Sequence, residues 1–266
     1  MELHHNTILI TGGTSGFGLE FTNRLLQLGN TVIITGRNQA KLDEVKQRYP
    51  KVHIFKSDVS SPEDIKTLYQ NVTTQFPDLN VLINNAGEMR KINLHDPSIG
   101  LEDINREIAI NLSGPIRMVQ QFLPHFKTKQ SAAIMNVTSG LALVPFPLSP
   151  IYGATKSGLR SYTKSLRVQL KKTNIKVFEL VAPGANTPLN DKFKTEEGFD
   201  VKMLMEPGKL IDAAIKGLQK DHLEIYPGLA NIMKWMSRIA PSVLLKQLSK
   251  VADKALANGK FQIASS

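Results

Sequence analysis

Cysteine is absent from the 266-residue sequence. Its absence excludes disulfide bonds, thiolate nucleophiles and zinc sites built from cysteine, and it fits a reducing compartment. We predict no metal site in this chain.

Long apolar runs are missing as well. No stretch approaches the roughly 18 apolar residues that a membrane span needs. Residues 1–13 lack the basic and apolar regions of a secretion signal, so we predict a cytoplasmic protein. An Arg-rich tail, zinc-finger spacing and an aromatic RNA-binding pattern are also missing, which predicts no nucleic-acid partner. The formal charge of +10 still suits a phosphate-bearing ligand or an anionic membrane.

The first two-thirds of the chain alternate short apolar runs with segments of helical periodicity. The runs that predict strands are residues 6–11, 31–36, 52–57, 81–86, 132–138 and 175–181. The segments between them, including residues 103–126, predict helices. Strands that are apolar on both faces and alternate with helices indicate a parallel sheet covered on both sides. The sequence therefore predicts an α/β, Rossmann-type doubly wound fold with three α/β/α layers.

Beyond residue 190 the pattern changes, although no linker or repeat divides the chain. Residues 191–228 predict a substrate loop, a helix at 207–219 and a last strand and turn at 222–228. Residues 229–266 form a basic tail with helical periodicity, which Pro241 should divide into two helices. We therefore predict one domain over residues 1–266, with a cofactor-binding and catalytic core in residues 1–190 and a C-terminal helical extension.

A glycine-rich turn, TGGTSGFG at residues 11–18, follows the first predicted strand and opens the first helix. Residues without bulky side chains let a phosphate approach backbone N–H groups at a helix N-terminus. Such a cluster alone can be an ordinary turn, but its place in a βαβ series predicts a dinucleotide site. The residues that we expect to contact the cofactor here are Gly12, Thr14, Ser15, Gly16, Phe17 and Gly18.

An acidic residue is missing at the end of the second strand, where NAD-selective sites bind the ribose 2′-hydroxyl. The strand ends in Thr35-Gly36-Arg37-Asn38. The Arg37 guanidinium suits a 2′-phosphate, although it could also be an ordinary solvated side chain. We therefore predict NADP(H) in preference to NAD(H). Asp58, after the third strand, could accept a hydrogen bond from an adenine amino group or could cap a helix.

Tyr152 and Lys156 are one helical turn apart, and Ser139 stands 13 positions before Tyr152. A phenol has an unperturbed pKa of about 10 and is a poor base at neutral pH. A nearby ammonium lowers that pKa and makes the phenol a usable acid and base. The pair alone is a common chance match. Together with Ser139 at the end of a strand and the nucleotide site, it predicts general acid/base chemistry.

At these residues the chain resembles the short-chain dehydrogenase/reductase family. The matching residues are TGGTSGFG (11–18), Asp58-Val59, NNAG (84–87), Asn111, Ser139 and Tyr152-x-x-x-Lys156, in the order of the family. The resemblance implies a tetrad of Asn111, Ser139, Tyr152 and Lys156 beside a nicotinamide cofactor. It implies that Tyr152 exchanges a proton with the substrate oxygen, which Ser139 hydrogen-bonds. Lys156 would hold the nicotinamide ribose, and Asn111 would stabilise a helix that supports a proton-relay water.

The resemblance also implies cofactor contacts outside the glycine-rich turn. These are Val59, Asn85, Ala86, Gly87, Ala185 and Thr187, together with Tyr152 and Lys156. After the sixth strand, residues 183–187 are one position short of the usual family motif, which leaves Pro183 and Gly184 unassigned. Within the family, residues 139–170 and the basic tail resemble the DltE-like branch.

The family resemblance implies an oxidoreductase that interconverts a carbonyl and an alcohol, as a homodimer or homotetramer. The alternative is a cofactor-binding regulatory or scaffold protein whose tail docks on a partner or a membrane. Leu141 and Phe146, after Ser139, favour an apolar small-molecule substrate, but they could also pack the loop. The spacing of apolar and basic residues in the tail favours packing on its own domain or on a sister subunit over membrane contact.

Overall fold

Within residues 1–257, which the computed structural model describes, seven parallel strands form one sheet in the order β3-β2-β1-β4-β5-β6-β7. The strands are β1 (Thr7–Thr11), β2 (Thr31–Gly36), β3 (His53–Lys56), β4 (Leu79–Asn84), β5 (Ala132–Ser139), β6 (Ile175–Ala182) and β7 (Glu224–Ile225). The strand order reverses at β1, which pairs with β2 on one side and β4 on the other. Ligands of such sheets bind in the crevice at the carboxyl ends of the strands at this point.

Helices cover both faces of the sheet. The helices are α1 (Gly16–Gln27), α2 (Gln39–Arg48), α3 (Pro62–Gln75), α4 (Leu101–Ile104), α5 (Arg106–Ile108), α6 (Gly114–Lys127), α7 (Pro150–Gln169), α8 (Pro207–Gln219), α9 (Leu229–Ile239) and α10 (Pro241–Ala257). On one face, α1, α2 and α8 bury residues such as Phe21, Leu42 and Leu210. On the other face, α3, α6 and α7 bury residues such as Phe122 and Leu166. The predicted doubly wound fold with three layers is confirmed.

The helix predicted over residues 103–126 is interrupted. The short helices α4 and α5 are followed by a π-helical turn at Ala109–Ser113, and α6 begins only at Gly114. A π-helical turn inserts an extra residue into the helix and is often found at functional sites. Here it contains Asn111, whose side chain is fully buried.

The tail is divided at Pro241 into α9 and α10, as predicted, and β7 lies within the strand and turn predicted at 222–228. Its α10 packs Val251 and Ala252 into a third apolar cluster that also contains Phe146, Tyr152 and Phe193. Residues 258–266 of the predicted tail lie outside the described residues. None of the helices in residues 1–257 is long and apolar enough to cross a membrane.

A buried ion pair ties the start of the tail to the central sheet. Arg160 on α7 places Nη1 2.9 Å from both carboxylate oxygens of Glu179, which also accepts a hydrogen bond from Thr138 (2.7 Å). Arg160 Nη2 donates to the Tyr226 hydroxyl (2.7 Å), and Lys234 Nζ on α9 lies 4.3 Å from the centre of the Tyr226 ring. The strand that ends in Ser139 is therefore connected to α9 through five side chains.

Candidate active site

A cavity of about 880 Å³ opens at the carboxyl ends of the strands. The predicted site residues that line it are Gly12, Thr14, Ser15, Gly16, Phe17, Arg37, Asp58, Val59, Asn85, Ala86, Gly87, Ser139, Tyr152, Lys156 and Thr187. Residues predicted for nucleotide binding and residues predicted for proton transfer thus share one cavity. Gly18, Asn111 and Ala185 were also predicted as site residues. Among residues 1–257, they do not belong to the set that lines the cavity.

The glycine-rich turn brings β1, α1 and β4 into close contact. Gly12 has a positive φ of 68°, and a Cβ atom there would lie 2.9 Å from the Ala86 Cα. A Cβ atom on Gly18 would lie 2.1 Å from the Gly12 carbonyl oxygen. Gly18 therefore faces the turn and allows α1 to pack closely on it, and its contact with the cofactor stays a prediction. Gly12 lines the cavity and leaves the backbone accessible to a ligand.

Thr11, which sequence reasoning did not single out, joins the ends of β1 and β4. Its Oγ1 accepts hydrogen bonds from the backbone N–H groups of Asn85 and Ala86, both at 3.0 Å. The Asn85 side chain donates in return to the carbonyl oxygens of Thr11 (3.0 Å) and Gly12 (3.1 Å). These four hydrogen bonds fix the floor of the cavity where the strand order reverses. The sequence signal for this role of Thr11 is a hydroxyl side chain at the last position of the first strand.

Two basic side chains lie at the end of the cavity beside β2. Arg37 is 60% exposed, and its Nη1 lies 3.9 Å from Asp58 Oδ2. Lys41, in the first turn of α2, also lines the cavity, and the Asn38 cap of that helix accepts from its backbone N–H (3.1 Å). Asp58 Oδ1 accepts from the backbone N–H (2.8 Å) and hydroxyl (2.7 Å) of Ser60. Sequence reasoning missed Lys41, which lies one helical turn after Arg37.

Asn111 holds the segment after β4 against α7. Its Oδ1 accepts from the Glu88 backbone N–H (2.8 Å), and its Nδ2 donates to the Glu88 carbonyl (2.7 Å) and to Thr155 Oγ1 (3.2 Å). Thr155 in turn donates to the Tyr152 carbonyl (2.7 Å). Asn111 therefore positions the backbone beside the cavity rather than lining the cavity itself.

Ser139, Tyr152 and Lys156 face the cavity at the junction of β5 and α7. Their exposed fractions are 8%, 5% and 4% respectively. Ser139 Oγ accepts from the Leu141 backbone N–H (3.1 Å), which fixes the hydroxyl at the end of the strand. Lys156 Nζ donates to the Val137 carbonyl (2.9 Å) and lies 5.7 Å from the centre of the Tyr152 ring. The three groups combine a hydroxyl, a phenol and an amine in one buried corner.

Burial dominates the protonation of this corner. It raises the pKa of Tyr152 to about 12, against the lowering effect of the Ser139 hydrogen bond, and the negative charge of Glu107 raises it further. Burial also lowers the pKa of Lys156 to about 8. The direction for Tyr152 is opposite to the expectation that Lys156 lowers its pKa, because burial disfavours the charged phenolate and is the largest cause of the shift. At neutral pH the phenol therefore keeps its proton.

The segment after β6 holds Ala185 in the core, although Ala185 was predicted to contact the cofactor. Ala185 is fully buried and bridges to Met205, and its carbonyl accepts from the Thr187 N–H (2.9 Å) and the Asn190 side chain (2.8 Å). These partners hold Ala185 in the core, while the unassigned Pro183 and Gly184 line the cavity, and the cofactor contact expected at Ala185 stays a prediction. Thr187 lines it too and lies against Gly16.

The half of the cavity beyond Tyr152 has a mainly apolar lining that includes the tail. The apolar residues here are Leu141, Phe146, Leu189, Phe193, Met203, Leu204, Leu229, Met233, Leu248 and Val251. A Cβ atom on Gly140, next to Ser139, would lie 2.9 Å from the Met233 Sδ. The tail therefore packs on its own chain, and sequence reasoning missed its five cavity-lining residues, which are these four apolar tail residues and Gln247. Among the polar residues on this side, Lys192 donates to the Met89 carbonyl (2.5 Å), and burial lowers its pKa.

Comparison with known proteins identifies the class that this fold and cavity define. A family model described as short chain dehydrogenase matches residues 6–198. The uncharacterized oxidoreductase DltE of Bacillus subtilis is 38% identical over 225 residues, which cover 85% of this chain and 89% of that protein. The NADP-dependent 3-hydroxy acid dehydrogenase YdfG of Escherichia coli is 31% identical over 195 residues, which cover 72% and 78%.

A solved structure has the same fold. It is a short chain dehydrogenase from Burkholderia cenocepacia in complex with NADP, with a TM-score of 0.79 and 23% identity, covering 93% of this chain and 99% of that one. The family model matches most of the chain, and the chain belongs to the short-chain dehydrogenase family. It is an enzyme of the oxidoreductase class with a nucleotide-binding Rossmann fold.

Proposed function

We propose that the protein is an NADP(H)-dependent oxidoreductase that interconverts a carbonyl and an alcohol, with Tyr152 as general acid and base. One observation carries the proposal. The buried hydroxyl, phenol and amine of Ser139, Tyr152 and Lys156 share a cavity with the glycine-rich turn at the N-terminus of α1. A cofactor held by that turn can extend toward the three groups without leaving the cavity.

The residues fit a dinucleotide in our proposal. Gly12 and Gly16 would admit its phosphates to the backbone at the start of α1, where the helix dipole favours negative charge. Arg37 and Lys41 would bind a ribose 2′-phosphate, and the NADP dependence of the E. coli relative agrees with this preference. Lys156 uses one N–H on Val137 and has further N–H donors for the nicotinamide ribose. When bound, NADPH supplies the hydride.

In carbonyl reduction, the hydride forms a C–H bond at the carbonyl carbon while the C=O π bond breaks. Tyr152 donates its phenolic proton to the oxygen, and Ser139 Oγ hydrogen-bonds the same oxygen. A phenol with a pKa of about 12 holds this proton at neutral pH and has it available for donation. Asn111 contributes by positioning Glu88 and α7.

The substrate in our proposal is a small apolar carbonyl compound or alcohol, because the cavity beyond Tyr152 is lined mainly by apolar side chains. A single domain, a cytoplasmic location and a homodimeric or homotetrameric state stay predictions from the sequence. Sedimentation velocity of the purified protein tests the oligomeric state.

The test of the proposed function replaces Tyr152 by phenylalanine. The Tyr152→Phe change removes the transferred proton and keeps the ring, so turnover on a panel of apolar aldehydes and ketones should fall at least about a thousandfold. NADPH binding, measured by titration calorimetry, should persist. Tyr162→Phe is the matched control, because Tyr162 lies on the same helix and packs against the second apolar cluster. Retention of full turnover in Tyr152→Phe would refute the proposed role.

A further inference from the structure

The outer side of the tail carries an apolar surface. Its members, which we call the outer tail face, are Ile232, Trp235 and Ile239 on α9. Ile239 is 77% exposed, Ile232 58% and Trp235 54%. Single exposed apolar residues are common on protein surfaces, but a continuous group usually marks an interaction site.

The inner side of the same helices already packs on the protein's own cavity. Leu229 and Met233 on α9, and Leu248 and Val251 on α10, line the cavity. Ile232, Trp235 and Ile239 follow one another at positions i, i+3 and i+7, so they form a separate stripe along α9. One apolar stripe suffices to pack a surface helix on its own domain. The second stripe is therefore available for a contact outside the chain.

Positive charge accompanies this second stripe. Arg238, Lys246 and Lys250 are exposed, and residues 229–252 contain no acidic residue. The whole chain has a formal charge of +10. Basic side chains beside an apolar helical face with tryptophan complement a lipid surface that has anionic headgroups and an apolar interior. An indole suits the boundary between these two layers, because its ring is apolar and its N–H is polar.

We propose that the outer tail face docks on an anionic lipid surface, with α9 and α10 lying along the headgroup region. The inner side of both helices stays on the cavity, so docking places the apolar half of the cavity one helix away from the lipid. Docking itself does not depend on catalysis. It can therefore be tested even if the proposed reaction is wrong.

The position of the single tryptophan gives a direct readout on the intact protein. Full-length protein is mixed with vesicles of phosphatidylcholine alone or of phosphatidylcholine with phosphatidylglycerol. We expect co-sedimentation and a blue shift of the Trp235 fluorescence with the anionic vesicles, with little of either on neutral vesicles. Added salt should weaken the binding, because it screens the charges of Arg238, Lys246 and Lys250.

Two sets of variants separate the apolar and the charged contributions. Ile239→Asp should weaken vesicle binding at least about tenfold, because it places a charge where an apolar side chain would enter the lipid. Arg238→Glu combined with Lys246→Glu should weaken it by a similar factor. Leu101→Asp is the matched control, since Leu101 is 85% exposed but lies on α4, outside the tail. Circular dichroism confirms that each variant is folded.

Three results would overturn the proposal. The first is that folded wild-type protein does not sediment with anionic vesicles. The second is that it binds neutral and anionic vesicles equally. The third is that Ile239→Asp lowers the sedimentation coefficient of the free protein while vesicle binding is unchanged, because the face would then be an interface between two copies of the chain.

Discussion

Arg37 and Lys41 stand at the end of the cavity that receives the adenosine half of the cofactor in our proposal. A charge-assisted hydrogen bond contributes about 1.5–3 kcal/mol, which corresponds to a factor of about ten to a hundred in binding. Arg37→Ala and Lys41→Ala should each raise the Kd of NADPH by about that factor and change the Kd of NADH little. Titration calorimetry measures both. Lys51→Ala is the control for loss of an exposed positive charge, and an equal loss for both nucleotides in the Arg37 variant would contradict NADP preference.

Lys156 makes stability depend on pH. Its pKa is about 8 in the folded protein against an ordinary value of 10.5, so the unfolded chain binds the proton more tightly. Stability should therefore rise between these two pH values, and the protonated lysine costs on the order of 3 kcal/mol below this window. Urea unfolding at pH 8 and above pH 10 should show this rise in the wild-type protein and a smaller rise in Lys156→Met. Equal rises in both proteins would contradict the assignment.

Much of the residue-level site could be predicted because its chemistry depends on short spacings. Tyr152 and Lys156 are one turn apart, and the glycines of the turn follow directly after a strand. The cofactor contact expected at Ala185 stays a prediction, because a motif one residue short can be aligned in two ways and the structure buries Ala185 while Pro183 and Gly184 line the cavity. Lys41 was not predicted as a site residue, because its access to the cavity depends on the orientation of α2 relative to β2.

The contact between α1 and the glycine-rich turn sets the geometry of the phosphate end. Exchange of a helical glycine for alanine normally stabilises a helix by up to about 1 kcal/mol. At Gly18 the added Cβ would lie 2.1 Å from a backbone oxygen, so Gly18→Ala must instead push α1 away from the turn. We expect a loss of about 1–3 kcal/mol in the free energy of unfolding and weaker NADPH binding. Gly100→Ala, which meets no atom within 4 Å, is the control for urea unfolding and nucleotide titration.

If Gly18→Ala were as stable as Gly100→Ala, the close approach of α1 and the turn would not hold in solution.

Helices and strands with clear apolar periodicity were predicted well from the sequence. The π-helical turn at Asn111 was not, because it depends on the hydrogen bonds of Asn111 with Glu88 and Thr155, which are distant in sequence. Apolar spacing alone does not distinguish such a turn from a continuous helix.

The whole molecule divides the cavity between the sheet and the tail. The sheet and its turns form the nucleotide half, whereas α9 and α10 complete the apolar half. Met233→Ser combined with Leu248→Ser should therefore raise the KM for an apolar carbonyl compound about tenfold while the Kd of NADPH changes little. Val243→Ser, an exposed change on the same tail, is the control. Parallel losses of substrate and NADPH affinity would show that the tail supports the entire fold instead.

The wall that α9 forms beside Ser139 is a single helix thick. Its contact with Gly140 is made by a methionine thioether, a flexible side chain that can adopt several shapes at low cost. A rigid sheet thus carries the reacting serine, and an adjustable helix forms the cavity wall beside it. Substitution of a few tail residues can therefore change which lengths of apolar substrate the cavity accepts. The geometry of the proposed hydride and proton transfer would stay unchanged.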